Sequence, residues 1–397
     1  MRVLLLDVNC KYSSTGKIVY DLYRQLKEDG HEAGIAYGRG PLVDEENIYR
    51  FSPQWEVYMH ALLTRITGYT SCFSYFATKR LIKFIENFQP DVIHLHDMHG
   101  YFVNIIPLID YLKKKKTKTV WTFHCEFMYT GKCGHAYECN KWQDRCEKCP
   151  HLRDYPQSVF FDKTRTMYEK KKKAFEGFDD LIIVSPSEWL GDRIKQSFLK
   201  NKRVEIINNG IDTHIFHVCD ADALKKKHGL EGEKIVLAVA PNLMSDNKGG
   251  AHVLKMAEQF KGENVKFVLV GLDEPETVKG ENIISLGRIK DQSELAKYYS
   301  MADVFLICSK RENFPTTCIE ALCCGTPVVG YNTGGTAETA KGEVGKFVEY
   351  GDVLGAATAI REFLKQNREE NIKKCSAYGK ERYSKKYMYE KYLALYK

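Results

Sequence analysis

Two glutamates, Glu312 and Glu320, stand in the segment of the chain whose residue types are best suited to chemistry, SKRENFPTTCIEALCCGTPVVGYNTGGTAE. Between them, Pro315 and two threonines mark a loop that turns into a helix. We expect Thr316 or Thr317 to cap this helix. The first N–H groups of a capped helix point outward, so the segment predicts a site for an anion.

The two glutamates suit the hydroxyl groups of a sugar nucleotide. Glu320 is expected about one turn inside the helix, where its carboxylate could accept two hydrogen bonds from a vicinal diol such as a ribose. Glu312, at the edge of the loop, could meet hydroxyls of a transferred sugar. Glutamates at this spacing are usually just solvated. The interpretation gains weight from the preceding strand and from Gly334 and Gly335, which permit close backbone approach.

Other candidate residues also follow predicted strands. In open parallel sheets, ligands bind beyond the carboxyl ends of the strands, so residues at these positions are candidates for function. They are Gly16 after RVLLLDV, His96 and Asp97 after DVIHL, His124 after KTVWTF, and Lys248 after KIVLAVA.

The stretch HLHDMHGYFVN contains three histidines and an aspartate and resembles a metal cluster at first sight. Side chains alternate along a strand, and the stretch runs into a loop, so a compact metal shell is not favoured. Contacts to an acceptor molecule by His96, Asp97, His99 or Tyr101 are favoured instead.

Four cysteines follow this region in the insert GKCGHAYECNKWQDRCEKCPH, namely Cys133, Cys139, Cys146 and Cys149. Four thiolates in a short, polar excursion fit a closed tetrahedral zinc site, which would be structural and not catalytic. Unlinked buried or reactive cysteines are the alternative. The other nine cysteines are scattered, and we expect them to be reduced thiols.

Short apolar strands alternate with helical stretches along the whole chain, and the pattern begins afresh after Asp212. A chain of 397 residues with 44% apolar content is long enough for two domains. The sequence therefore predicts the α/β class, with doubly wound domains over residues 1–212 and 213–382. The amphipathic ending, residues 383–397, is expected to cross back onto the first domain.

The net charge of +7 includes the lysine runs 113–116 and 170–173. Such runs are usually solvated helix faces, but they could attract phosphates, an anionic membrane or nucleic acid. No stretch approaches the roughly 20 apolar residues that span a bilayer, and the start MRVLLLDVNC lacks the features of a signal peptide. A soluble, cytoplasmic protein is predicted, with peripheral contact at the inner membrane face left open by the lysines.

The loop SSTGK superficially resembles a phosphate-binding P-loop. It lacks the leading glycine of that motif, and Ile18 occupies the position of the magnesium-binding Ser or Thr, so ATP binding is excluded. Gly16 is expected instead to let the backbone approach a bound ligand closely.

Together these motifs make the chain resemble glycosyltransferase family 4. The resemblance rests on the initial strand and glycine loop, PDVIHLHD, TFH, NNGID, Lys248-Gly249, the E-x7-E segment and the final amphipathic helix. It implies a GT-B fold, in which two Rossmann-like domains face each other across a cleft. It also implies transfer with retention of anomeric configuration from a UDP- or GDP-sugar, without a metal in catalysis.

The resemblance also implies roles for individual residues. Glu320 would bind the ribose, Glu312 and His124 would contact the donor sugar, and Lys248 would neutralise the diphosphate. The segment after Glu312 would hold the sugar and diphosphate through Asn313, Phe314, Thr316 and Thr317.

Two positions depart from the family pattern. PNLMSDNKGG lacks the arginine that many relatives carry shortly before the lysine, and Arg288 or Arg311 could replace it. Cys125 stands where an aspartate is common, which leaves a non-catalytic member as an alternative.

The sequence favours an enzyme of surface glycan biosynthesis whose acceptor is a saccharide or a lipid-linked saccharide. A nucleotide-sugar epimerase of the same architecture is an alternative. It differs from the transferase in needing no acceptor site. A zinc-containing nucleic-acid-binding protein is a further alternative, and it predicts binding to RNA or DNA that depends steeply on salt. The glycosyltransferase hypothesis predicts tight binding of UDP or GDP and no nucleic-acid partner.

Overall fold

The computed structural model describes residues 1–397, which divide into two compact units. The first unit comprises Met1–Asn208 and Tyr389–Lys397, and the second comprises Asn209–Met388. The expected boundaries lay at 212 and 382. The segment around Ile211 belongs to the second unit because its N–H donates to the carbonyl of Tyr383, and its own carbonyl accepts from the N–H of Lys385, at 2.9 and 2.8 Å.

The first unit contains a seven-stranded parallel sheet in the order β3-β2-β1-β4-β5-β6-β7. Its strands are β1 (Arg2–Asp7), β2 (Glu32–Tyr37), β3 (Ile48–Arg50), β4 (Val92–Leu95), β5 (Lys118–Thr122), β6 (Leu181–Ser185) and β7 (Arg203–Ile206). Its helices are α1 (Ser13–Glu28), α2 (Gln54–Thr67), α3 (Tyr75–Phe88), α4 (Ile105–Lys115), α5 (Thr164–Phe175) and α6 (Glu188–Gln196).

The second unit contains a six-stranded parallel sheet in the order β10-β9-β8-β11-β12-β13. Its strands are β8 (Lys234–Val239), β9 (Val265–Val270), β10 (Ile283–Leu286), β11 (Val304–Ile307), β12 (Val328–Tyr331) and β13 (Gly345–Val348). Its helices are α7 (Asp222–Lys227), α8 (Gly250–Glu258), α9 (Gln292–Met301), α10 (Thr316–Cys323), α11 (Val353–Lys365) and α12 (Arg368–Tyr383).

Burial of the central strands explains their composition. In β1 every residue after Arg2 is buried, as a parallel strand covered on both faces requires. Helix α1 buries Ile18, Val19, Leu22 and Leu26, which recur at helical spacing and face the sheet. The predicted α/β class with two doubly wound domains is confirmed, since both sheets are parallel and have the strand order of dinucleotide-binding folds.

The last helix, α13 (Lys385–Tyr396), enters the first unit from Tyr389 onward. The hydroxyls of Tyr392 and Tyr396 lie 2.9 Å from Thr122 Oγ1 and 2.7 Å from His94 Nδ1, respectively. The C-terminus is therefore part of the packing behind β4 and β5. No helix in the chain has both the length and the apolar character needed to cross a bilayer.

Candidate functional site

In the second unit, the structure brings together Lys248 and Glu312, which are far apart in sequence. Lys248 Nζ lies 2.6 Å from Glu312 Oε1, and both side chains are partly accessible to solvent. Lys248 ends a short turn after β8, and Glu312 lies in the loop after β11. A neighbouring backbone bond from Lys310 N–H to the Asn247 carbonyl, 2.9 Å long, joins the two loops. A cation and a carboxylate thus share one accessible position at the carboxyl ends of adjacent strands.

Two glycines with left-handed backbone conformation allow this approach. Gly249 has φ +72, and a Cβ there would lie 2.1 Å from the Cys308 carbonyl oxygen. Gly334 has φ +62, and a Cβ there would lie 1.9 Å from the carbonyl oxygen of Glu312. The next residue, Gly335, donates its N–H to that same oxygen at 3.0 Å. Gly334 and Gly335 therefore pack directly against the backbone of the loop that carries Glu312.

Glu320 lies in the second turn of α10, and its Oε2 accepts a hydrogen bond of 2.8 Å from the Tyr299 hydroxyl. Burial raises the pKa of Tyr299, which keeps this hydroxyl a donor. The expectation that Thr316 or Thr317 caps the helix is wrong. Both are helical residues, and the cap position is Pro315, whose side chain has no acceptor. The first turn nevertheless presents backbone N–H groups that have no partner within the helix.

Asn313 and Phe314, two predicted donor-binding residues, are both buried. The Phe314 ring packs against Tyr383 at a centroid distance of 5.6 Å, and its carbonyl accepts from Asn209 Nδ2 at 3.1 Å. The Phe314 side chain therefore belongs to the core, and only its backbone could face a ligand. Arg288, in contrast, is exposed after β10, and Arg311 is half-buried beside Glu312 in sequence.

In the first unit, the structure adds a residue that the sequence reasoning missed. Asp7 ends β1 and is fully buried, and its carboxylate accepts from the N–H of Asp97 at 3.0 Å and from Thr15 Oγ1 at 3.2 Å. Burial, and then the charge of Asp97, raise the pKa of Asp7 to about 8. The sequence does contain a signal for Asp7, because it is an acidic residue at the end of an otherwise apolar strand.

Three histidines stack at the ends of β4 and β5. His96 Nδ1 lies 3.1 Å from His124 Nε2, and the rings of His94 and His96 are 4.0 Å apart. Burial lowers the pKa of all three, that of His124 to about 4, so these imidazoles are neutral at neutral pH. His96 Nε2 has no hydrogen-bond partner in the structure. The cluster thus offers neutral ring nitrogens as hydrogen-bonding groups.

Asp97 and His99 form an ion pair, and Cys125 completes a set whose possible ligand atoms lie within 4.8 Å of one another. Burial alone would raise the pKa of Asp97, but His99 brings it below its ordinary value. Tyr101 is buried away from this set, with its ring against those of His60 and Tyr155. Of the four predicted acceptor residues, three are therefore neighbours and Tyr101 is part of the packing.

Gly16 lies in the first turn of α1, where a Cβ would come within 3.1 Å of the Asn9 carbonyl oxygen. Its own carbonyl accepts the N–H of Lys11 at 3.1 Å. The glycine thus packs closely against the loop after β1, which is the loop predicted to lie beside a ligand.

The four insert cysteines are free thiols. Cys133 and Cys149 form a hydrogen bond, which lowers the pKa of Cys149. Cys146 Sγ accepts from the N–H of Gly131 at 3.1 Å, and it interacts electrostatically with Cys139. The set of three ligand atoms within 4.8 Å of one another is that of Asp97, His99 and Cys125 and does not include these cysteines.

Comparisons with known proteins identify the family to which the chain belongs. Residues 15–215 match the family model "Glycosyltransferase Family 4", and residues 220–382 match "Glycosyl transferases group 1". A similar protein is the colanic acid biosynthesis glycosyl transferase WcaC of Escherichia coli (strain K12), 26% identical over 89% of each chain. The capsular polysaccharide biosynthesis glycosyltransferase CapM of Staphylococcus aureus is 27% identical over 50% of this chain and 55% of its own.

Solved structures share the fold of the whole chain. Sucrose-phosphate synthase from Thermosynechococcus elongatus superposes with a TM-score of 0.70 and 19% identity, covering 100% of this chain and 98% of its own. The Anabaena protein HepE in complex with UDP-glucose gives 0.67 and 13% identity, covering 99% and 98%. These likenesses confirm the predicted GT-B fold.

Proposed function

We propose, from the premise that this chain belongs to glycosyltransferase family 4, that it transfers a sugar from a UDP- or GDP-sugar with retention of anomeric configuration. The chain is a glycosyltransferase, and its relatives include proteins named for colanic acid and capsular polysaccharide biosynthesis. We infer an acceptor that is a saccharide or a lipid-linked saccharide of a surface glycan. The observation that carries the proposal is the accessible Lys248–Glu312 pair beside the N-terminus of α10.

The chemistry of the proposed transfer explains this arrangement. When the bond between the sugar and the phosphate breaks, negative charge grows on the departing diphosphate. An ammonium such as that of Lys248, together with the N–H groups at the start of α10, stabilises such charge, typically by a few kcal/mol per donor. Because these groups belong to the chain itself, the proposed transfer needs no metal ion. Glu312, released from the lysine, is then available to the hydroxyls of the sugar.

In the first unit, we propose that His124 and the neighbouring Asp97 contact the donor sugar and the acceptor. A neutral imidazole can donate one hydrogen bond and accept another, which suits sugar hydroxyls. Asp97 is held in its charged form by His99 and can accept from an acceptor hydroxyl. For the retaining mechanism, we infer that the leaving phosphate takes the proton of that hydroxyl. The new glycosidic bond forms as the bond to phosphate breaks.

The donor site is tested by replacing Glu320 with alanine. The variant should bind the matching nucleoside diphosphate about 10-fold to 150-fold more weakly, because a hydrogen bond to a charged group contributes about 1.5 to 3 kcal/mol. A thermal-shift screen of nucleoside diphosphates identifies the ligand, since a ligand at 100 times its Kd adds about 2.7 kcal/mol of stability. Tyr299→Phe, which removes only the bond to Glu320, is the matched control and should cost less affinity. Unchanged affinity in Glu320→Ala would refute the assignment.

We also propose that Cys133, Cys139, Cys146 and Cys149 bind one structural zinc ion. Support comes from N–H groups directed at two of the sulfurs, from Gly131 to Cys146 and from His151 to Cys149. Such bonds favour thiolates, the form that binds zinc. The four sulfurs would have to draw closer to form a tetrahedral site.

Two buried lysines support the zinc proposal by their charge. Lys132 donates to the carbonyls of His151, Leu152 and Asp154, and Lys171 donates to those of Phe127 and Thr130. Both side chains are almost fully buried, and burial lowers the pKa of each, that of Lys171 to about 7, so the ammonium form needs a negative neighbour. A zinc ion with four thiolates carries two net negative charges, and the two lysines would balance them.

Elemental analysis of protein purified without chelator tests the zinc site. We expect about one equivalent of zinc, lost in Cys149→Ser and retained in Cys219→Ser, which changes a cysteine outside the insert. Removing the zinc should increase proteolysis within the insert and impair use of the acceptor while leaving nucleotide binding intact, because binding free energy becomes local folding energy. Less than about half an equivalent, with four freely titrating insert thiols, would refute the proposal.

A lipid-linked acceptor would place the enzyme at a membrane. We propose peripheral contact with an anionic membrane face. The two lysine runs do lie near each other, because Lys113 Nζ donates to the carbonyls of Ala174 and Glu176, just beyond the second run.

A further inference from the structure

Helix α2 buries much of its polar face and exposes its apolar face. Its buried residues include Glu56, His60 and Thr64, which are polar. Its exposed residues form a stripe of large apolar side chains: Trp55, Tyr58, Met59, Leu62 and Ile66. At about 100° per residue, these five fall within an arc of roughly 100° on one side of the helix. A surface helix normally shows the opposite arrangement.

Interactions of the buried polar residues fix this orientation. Glu56 accepts from Arg80 Nη2 at 2.7 Å and from the N–H of Ala77 at 2.9 Å. His60 Nδ1 lies 2.7 Å from Ser74 Oγ, and burial lowers the pKa of His60 to about 3. Rotating α2 to bury its apolar stripe would break these bonds. The stripe is therefore held outward by the fold itself.

The apolar surface continues beyond α2. Tyr75 and Phe76, at the start of α3, are exposed, and so are Val159, Phe160 and Phe161. The 159–161 segment is attached to the end of α2, because Val159 donates its N–H to the Arg65 carbonyl at 2.8 Å. We call these ten residues of α2, α3 and the 159–161 segment the apolar face. Phe160 alone is 69% exposed and Tyr58 is 66% exposed. Surfaces of this size and composition mark interaction sites.

Cationic side chains border the apolar face. Arg65 is exposed on α2 itself. Lys79 Nζ stands 4.5 Å above the Tyr75 ring. Lys170 Nζ and Lys163 Nζ stand 4.8 and 5.8 Å from the ring of Tyr69, whose neighbour Gly68 lies against the Phe161 carbonyl. Aromatic rings with adjacent lysines are the composition found where proteins meet the interface between lipid headgroups and acyl chains.

We propose that the apolar face docks on the surface of an anionic lipid bilayer, with α2 lying in the plane of the interface. The aromatic and aliphatic side chains enter the boundary between headgroups and acyl chains, and the bordering cations meet anionic headgroups. Charge complementarity favours a bilayer over a second copy of this chain, because a twofold contact would bring like charges together. The inference specifies the membrane contact proposed above, and it does not require that the chain transfer sugar.

Vesicle flotation without donor or acceptor tests the inference. The full chain should float with vesicles of phosphatidylcholine mixed with phosphatidylglycerol, and much less with phosphatidylcholine alone. Leu62→Ser/Ile66→Ser should lower the partition coefficient at least about tenfold. Lys163→Gln/Lys170→Gln should lower it about fivefold for each lysine and reduce its dependence on salt. Leu354→Ser, which changes an exposed leucine of α11 in the second unit, is the matched control and should bind like the wild type.

Tryptophan fluorescence gives a second readout. Of the four tryptophans, Trp121 and Trp142 are fully buried and Trp189 is half-buried against the core, whereas Trp55 is 58% exposed on the apolar face. Vesicle binding should therefore shift the emission to shorter wavelength, and Trp55→Phe should abolish the shift.

Three results would overturn the inference. The first is that Leu62→Ser/Ile66→Ser binds vesicles as well as the wild type does, and the second is that the wild type binds both vesicle types equally. The third is that the wild type is a dimer that binds no vesicles and that Leu62→Ser/Ile66→Ser is a monomer. If flotation behaves as expected but no nucleoside diphosphate binds, the membrane inference stands and the proposed donor site fails. If a nucleoside diphosphate binds but the chain does not float with vesicles, the proposed donor site stands and the membrane inference fails.

Discussion

Replacing Lys248 by methionine should lower kcat about 100-fold to 1,000-fold and change the donor KM far less. Methionine keeps much of the apolar stem and removes the ammonium that lies 2.6 Å from Glu312 Oε1. The charge that we assign to this ammonium grows as the diphosphate departs, so the interaction is stronger in the transition state than in the bound donor. Release of nucleoside diphosphate at saturating donor, once the donor is identified, measures the effect.

Lys255→Met is the control for Lys248→Met, since it removes a charge from the last turn of the following helix α8. It should leave kcat unchanged. Glu312→Gln provides a further comparison because it frees the lysine from its carboxylate while keeping a polar group in place. If Lys248→Met raised KM without lowering kcat, the lysine would only bind the ground state, and its catalytic assignment would be wrong.

Gly334→Ala should destabilise the second unit by roughly 3 to 5 kcal/mol. The new Cβ would lie 1.9 Å from the carbonyl oxygen of Glu312, and φ at this position is +62. The loop after β11 must therefore move, which displaces Glu312 from Lys248 as well. Urea unfolding measures the stability loss, and donor affinity of the folded fraction measures the displacement.

Gly342→Ala separates the two causes of this loss. Gly342 also has a left-handed backbone, with φ +72, but a Cβ there would have no neighbour within 4 Å. This variant should lose only about 1 to 2 kcal/mol from backbone strain and keep its donor affinity. Equal losses in the two variants would show that the Gly334 contact with Glu312 contributes nothing.

The sequence allowed most of the architecture to be predicted because buried parallel strands are recognisable as short apolar runs. Two edge strands, β3 and β13, are not recognisable in this way, because they are short and only partly buried. Such edge strands lack the continuous apolar composition of central ones. The boundary near Asp212 could not be placed more closely, because it depends on long-range bonds between Ile211 and the chain around Tyr383.

The candidate site was predictable in part. The positions of Lys248 and Glu312 follow from the rule that functional residues lie after strands, but their pairing depends on the order of β8 and β11 in the sheet. The cap was mispredicted because threonines favour cap positions in general, whereas here Pro315 precedes the first helical residue.

The face of α2 that is buried could not be read from its sequence. The pattern gives one apolar and one polar side, and the usual rule would bury the apolar one. The actual orientation depends on Arg80 and Ser74, which pair with Glu56 and His60 from the following segment. Such partners become identifiable only once the helices are packed together.

The Lys248–Glu312 ion pair also weakens the binding of any anion at the proposed donor site. Before a donor binds, the ammonium already has an anionic partner at 2.6 Å. An incoming anion must therefore compete with a carboxylate held in place, and it gains only the difference between two attractions. A diphosphate, with more negative charge and more oxygens than a monophosphate, competes better. The cost of displacing the carboxylate is the same for every anion, so the pair would weaken the binding of small anions such as inorganic phosphate until only a ligand with further contacts, such as the diphosphate of a sugar nucleotide, is retained.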